Sequence, residues 1–186
     1  VPPQKQEIRN PETLSYLAGD RKIFLFEPIT REVAKTFTAL MIYYSNTSQE
    51  DVSIYINTNG GESDALANIY DIMQNVEFPI STYCIGKAYS AGAFILAAGT
   101  KGKRYITKNS TVMIHGLQAQ FPHPLLLSHK DSDVYFKYLE QINNYIAGIL
   151  ARHTENPISK INKDLERDLY LSATEAVKYK IADHIL

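Results

Sequence analysis

The chain has no tryptophan, a single cysteine and three methionines among its 186 residues. A lone Cys84 excludes an internal disulfide and any metal centre built on several thiolates, and it fits a reducing compartment. No apolar run approaches the roughly 20 residues of a membrane helix, and no signal-peptide pattern opens the chain, so no membrane partner is expected. The start at Val1 leaves room for a removed leader. Charge of one sign is lacking too: 19 Lys and Arg stand against 20 Asp and Glu. Without a basic face, nucleic acid is a poor partner. Repeats and low-complexity tracts are absent. Gly99–Arg104 lacks the spacing and final Ser/Thr of a phosphate loop, so neither nucleotide nor any other cofactor is called for, and no metal. What is abundant is tyrosine, 13 residues, a side chain suited to surfaces with one apolar and one wet side, as at subunit interfaces.

The length sets one domain over residues 1–186. Residues 1–10, rich in Pro, Gln and charge, read as a mobile segment. Asn10 and Pro11 then start a short helix to about Ala18. Lys22–Phe26 is a strand, and Thr30 caps a helix from Arg31 to about Tyr44. Val52–Asn57 is a strand ending at Gly60-Gly61, followed by a helix from about Ser63 to Val76. Ile80–Ile85 is a strand leading to Ser90, with a helix to about Ala98. Short strands follow at Arg104–Ile106 and Thr111–Ile114. A long helix is expected from about Ser128 to His153, too long for one domain to cover, so part of it projects onto another subunit. A capping box at Ser172 and Glu175 and a final short strand close the chain. Strand and helix in alternation predict an α/β fold with a largely parallel sheet flanked by helices.

In such sheets, site residues collect at the carboxyl ends of strands, where Gly60-Gly61 and Ser90 both fall. Ser90 reads either as a helix N-cap or as a nucleophile at a strand-to-helix turn, beside amides that could receive an oxyanion. Gly60-Gly61 reads either as a positive-φ turn or as bare backbone N–H groups for a ligand. His115 ends a strand and is a structural histidine or a base. Asp168 or Asp164 could orient it.

Three segments together carry a resemblance. Gly86-Lys87-Ala88-Tyr89-Ser90-Ala91-Gly92-Ala93-Phe94, Asn109-Ser110-Thr111-Val112-Met113-Ile114-His115 and Glu166-Arg167-Asp168-Leu169-Tyr170-Leu171-Ser172-Ala173 resemble, in order and spacing, the proteolytic subunit of the Clp protease. The resemblance covers nearly the whole chain. It implies a Clp-protease-like domain related in architecture to the crotonases, with residues 1–10 at the axis and a projecting handle over about 116–153. It implies Ser90 as nucleophile, His115 as base and Asp168, rather than Asp164, as the acid holding the imidazole. Gly61 and Ala91 match the oxyanion-hole positions, and Glu166 and Arg167 a charged pair coupling ring assembly to the triad. Tyr55, Tyr83, Ile85, Tyr105 and Leu186 match the apolar pocket that receives an unfoldase's loops. The implied function is a serine endopeptidase subunit of stacked heptameric rings, fed unfolded polypeptide by an AAA+ ATPase, in the cytoplasm or alternatively a mitochondrial or plastid matrix.

The chain also departs from that family. Gly116–Pro124 carries prolines, and is about four residues longer, where the family has a substrate-pairing strand. Tyr89 replaces a small residue beside the serine, and Thr58-Asn59 replaces Ser-Pro. Ser53, Asn75 and Thr107 are polar at docking positions. These departures support an alternative, a weakly active or structural paralogue in a mixed ring. A crotonase-type acyl-CoA enzyme is the third reading.

Overall fold

The computed structural model describes residues 19–118 and 129–186. The expected mobile segment over 1–10, the short helix before Ala18 and the prolines after Gln118 lie outside the described residues. Lys22–Leu25 forms β1, Arg31–Ser45 α1, Val52–Thr58 β2, Ser63–Asn75 α2, Ile80–Tyr89 β3 and Ala91–Ala97 α3. Then come β4 (Arg104–Ile106), β5 (Thr111–Ile114), α4 (His129–Thr154), α5 (Ile158–Asp164), β6 (Leu169–Ser172), α6 (Ala173–Lys178) and β7 (His184–Ile185). The strands form one sheet in the order β1-β2-β3-β4-β7, all parallel, with β5 branching from β3 and β6 antiparallel to β5. The mostly parallel α/β architecture expected from the sequence is the one found. β6 and α5, which the sequence reading passed over, are additions to it.

Local chemistry explains the elements. The Thr30 side chain accepts from the Val33 N–H and starts α1, whose buried residues Ala34, Phe37, Met41 and Tyr44 repeat at helical spacing. In α2 the buried set is Ala65, Leu66, Ile69, Tyr70 and Met73. Along β2 buried and half-buried residues alternate, so Ile54 and Ile56 face the helices while Ser53, Tyr55 and Asn57 face the other way. α3 is buried along its whole length. It sits behind β3 as the centre of the core.

The sheet face away from that core carries an aromatic row. Phe24, Tyr55, Tyr83, Tyr105 and His184 are direct register partners across five strands. Their rings stack with centroids 5.1, 4.9, 4.8 and 5.3 Å apart, close to the distance between neighbouring strands. This row contains three of the five expected docking residues. Ile85 and Leu186, the other two, are exposed.

One long-range clamp holds the far edge. The buried Arg104 guanidinium meets Asp183 through Nε at 2.8 Å and Nη2 at 2.5 Å, and gives Nη1 to the carbonyls of Ala97 and His153. It ties β4 to β7, to the end of α3 and to the end of α4. Partial burial pushes the Asp183 carboxyl up, but its bonds from Arg104 outweigh this and hold it below the ordinary value. Along α4, Ile146, Ala147, Ile149 and Leu150 toward the C-terminal end are buried, while Val134, Phe136 and Tyr138 are exposed.

Candidate active site

The site begins with a fork in β3. Its first half pairs with β4 through Thr82, Tyr83 and Cys84, its last three residues with β5. Gly86 sits at the fork with φ 91°, and its N–H donates to Ser110 Oγ at 2.7 Å. That positive φ suits glycine and lets the strand turn toward β5. The turn carries Tyr89 alongside Met113 and leaves Ser90 just past the strand end.

Ser90 has φ 50° and ψ −123°, a conformation that favours glycine and is strained for serine. Its side chain makes no capping bond to α3. Ser90 stands at the N-cap position of α3 without a side-chain cap, its carbonyl accepting from the Ala93 N–H at 2.9 Å. The Ser90 N–H donates to the Met113 carbonyl at 2.8 Å, which fixes the turn against β5.

A second loop closes on the serine. Gly60 has φ 96°, and a Cβ there would lie 2.6 Å from Ser90 Cβ and 2.8 Å from the Tyr89 carbonyl oxygen. Only glycine fits that approach. The loop is pinned by Thr58, whose hydroxyl donates to the Glu27 carbonyl at 2.8 Å and accepts from the Gly60 N–H at 3.1 Å. Gly61 pairs as an isolated parallel bridge with Ile29, through the Gly60 carbonyl and the Glu62 N–H. The Gly61 N–H therefore points away from Ile29 and stays out of the pairing. Ala91 is the first residue of α3, where the N–H has no partner within the helix. The two amides expected to form an oxyanion hole thus belong to a loop and a helix start that meet at Ser90.

His115 and Asp168 come from the β5–β6 pair. Ile114 is opposite Leu169, the last pair of the antiparallel ladder, so His115 directly follows β5 and Asp168 directly precedes β6. Ser90, Ala91, Gly61 and His115 line one open cleft of about 690 Å³, floored by Leu66, Phe94 and Ile146. Glu62 and Asp64 stand on its rim, each in a surface ion pair with Arg31.

Ser90 and His115 share the cleft while Asp168 lies at the start of β6, and among the described residues no hydrogen bond joins the three. His115 Nδ1 is 2.6 Å from the carbonyl oxygen of Gly116, the next residue. Asp168 is exposed, and among the described residues neither it nor Ser90 Oγ has a side-chain hydrogen bond. Asp164, the alternative acid, is already used: it accepts from Lys160 at 2.5 Å and from the Tyr179 hydroxyl at 2.7 Å. Partial burial pushes its carboxyl up, and those two bonds bring it below the ordinary range. Glu166 and Arg167 are exposed in the turn before Asp168 and have no side-chain partner among the described residues.

Other nucleophiles and ligand sets are poorer. Burial pushes the Cys84 thiol up to about 11, against a smaller opposing effect of Ser110, so it stays protonated inside the sheet. Among the described residues no His, Cys, Asp and Glu group could hold a metal, and no helix is long and apolar enough to cross a membrane. The Thr58 pin and the Ile29 bridge escaped the sequence reading. Neither leaves a pattern, because each joins residues about 30 positions apart. The model of the Clp protease family matches residues 4–186, almost the entire chain.

Proposed function

Because the chain belongs to the Clp protease family and is a Clp-type peptidase subunit, we propose that it cleaves polypeptides by a serine mechanism, with Ser90, His115 and Asp168 as the triad. The observation that carries this reading is Ser90 itself: a strained, uncapped serine at a helix start, sharing a cleft with a histidine and two outward amides. His115 Nε2 takes the Ser90 proton as Oγ attacks the substrate carbonyl, and the N–H groups of Gly61 and Ala91 receive the oxyanion. The imidazolium then protonates the leaving amine, and water releases the acyl group by the same route in reverse. Asp168 holds Nδ1 in this cycle. His115 must first give up the Gly116 carbonyl, and loss of that bond to Asp168 is the step that turns the site on.

The subunit works in stacked rings closed around a chamber, with α4 as the handle between rings and Glu166 and Arg167 reaching a neighbour. Exposed Val134, Phe136 and Tyr138 on α4 support such a contact. An AAA+ unfoldase docks on the aromatic sheet face at Tyr55, Tyr83, Ile85, Tyr105 and Leu186 and delivers unfolded chains. The compartment is cytoplasmic, or an organelle matrix. The open triad favours a second reading, a subunit of low intrinsic activity in a mixed ring whose paralogue completes it. Native mass and peptide hydrolysis, for the chain alone and co-expressed with a paralogue, separate the two. Ser90-dependent hydrolysis by a homomeric double ring supports the first reading. A mixed ring whose turnover survives Ser90→Ala supports the second.

A further inference from the structure

Tyr89 is a tyrosine where the resembling family has a small residue, and the triad gives it no task. It is the last residue of β3 and pairs with Met113 on β5, which in turn pairs with Tyr170 on β6. The three residues form one row across three strands, and side chains in such a row share a face. Strands β3 and β6 are next-nearest neighbours, roughly 10 Å apart, so only two long side chains can meet across β5. They do: the Tyr89 and Tyr170 rings touch edge to face, with centroids 5.7 Å apart and planes at 90°. Met113 lies between their strands with 9% exposure, and Lys87 Nζ is 5.8 Å from the centre of the Tyr89 ring.

This row lies next to the catalytic groups. Ser90 follows Tyr89 directly, His115 is two residues beyond Met113, and Asp168 is two residues before Tyr170. β6 is a strand of four residues whose one strand partner among the described residues is β5. Among the described residues Asp168 has no side-chain bond to fix it, and His115 is turned to Gly116. The aromatic contact is therefore a direct side-chain tie between the strand that ends at the nucleophile and the strand that begins at the acid.

We infer that Tyr89 is a positioning residue: with Tyr170 it forms a strut over β5 that sets the spacing between Ser90 and Asp168. The inference rests on the serine reading proposed above. The strut acts through ring contact and does not need the hydroxyl. An edge-to-face pair contributes a factor of roughly three to ten, which bounds the effect.

Steady-state hydrolysis of a fluorogenic peptide by the assembled protein tests it. Tyr89→Ala should lower kcat about three- to tenfold with KM changed less than about twofold, since substrate binding is untouched. Tyr89→Phe should restore the wild-type rate. Tyr170→Ala should reproduce the loss, and the double variant should be no worse than either single one. Tyr170 is 56% exposed, so its variant carries the test if Tyr89→Ala does not fold. An unchanged kcat in both alanine variants, additive losses, or a change confined to KM or cleavage preference overturns the strut. Hydrolysis that persists in Ser90→Ala overturns the serine reading itself, and the strut with it.

Discussion

Ser90 combines two demands that ordinary side chains do not face together. As the proposed nucleophile it has to present its Oγ at the end of β3, and there it adopts a backbone conformation suited to glycine. Holding a non-glycine residue there costs on the order of 1–3 kcal/mol. Ser90→Gly should therefore be more stable than Ser90→Ala by about 1 kcal/mol, although both lose the hydroxyl. Urea denaturation of the two variants measures this, and equal midpoints would mean the turn is unstrained. The sequence showed Ser90 at a strand-to-helix turn, as a cap or a nucleophile, but not its backbone strain, because a φ angle leaves no mark in composition. The same holds for His115, whose position at a strand end was legible while its bond to the Gly116 carbonyl was not. Asp168 was preferred to Asp164 only through the family resemblance, and what the sequence did not show is that Asp164 accepts bonds from Lys160 and Tyr179.

Elements with strong local signals were read well from the sequence. The alternation in Val52–Thr58, the helical spacing in α1 and α2, and the Ser172–Glu175 capping box all reappear. β6 was missed because Leu169–Ser172 is short and its burial depends on pairing with β5, a long-range event. β3 runs four residues past the expected end because the Gly86 fork, which reads as a breaker, continues as a strand on a new partner. The C-terminal end of α4 gives a prediction of its own. His153 Nε2 is 3.1 Å from the Tyr70 hydroxyl, and Arg152 and Arg104 lie beside it. Burial first, then Arg104 and Arg152, lower its pKa from 6.5 to about 4. The folded form keeps this histidine neutral while the unfolded chain takes up a proton near pH 6.5. Stability should thus be full above pH 6.5 and fall as pH drops toward 4. Thermal unfolding across that window measures it, and His153→Gln should flatten the slope. The depressed carboxylates of Asp183 and Asp164 act only at lower pH.

At the scale of the whole molecule, the described residues leave the aromatic sheet face and Val134, Phe136 and Tyr138 of α4 open. Val134 and Phe136 are 69% and 58% exposed, a cost that burial against another copy would remove. Phe136→Glu should dissociate the assembly and slow peptide hydrolysis. Sedimentation velocity beside an activity assay checks both, and an unchanged assembly would remove α4 from the contact. Beneath the assembly lies the proposed covalent chemistry, in which His115 activates Ser90 as the nucleophile. The most direct measurement is reaction of the native protein with a fluorophosphonate probe, followed by mass mapping of the labelled peptide. A single adduct on Ser90 is expected, lost in Ser90→Ala and strongly slowed in His115→Ala. An adduct elsewhere, or no adduct on a protein that still hydrolyses peptide, would contradict it.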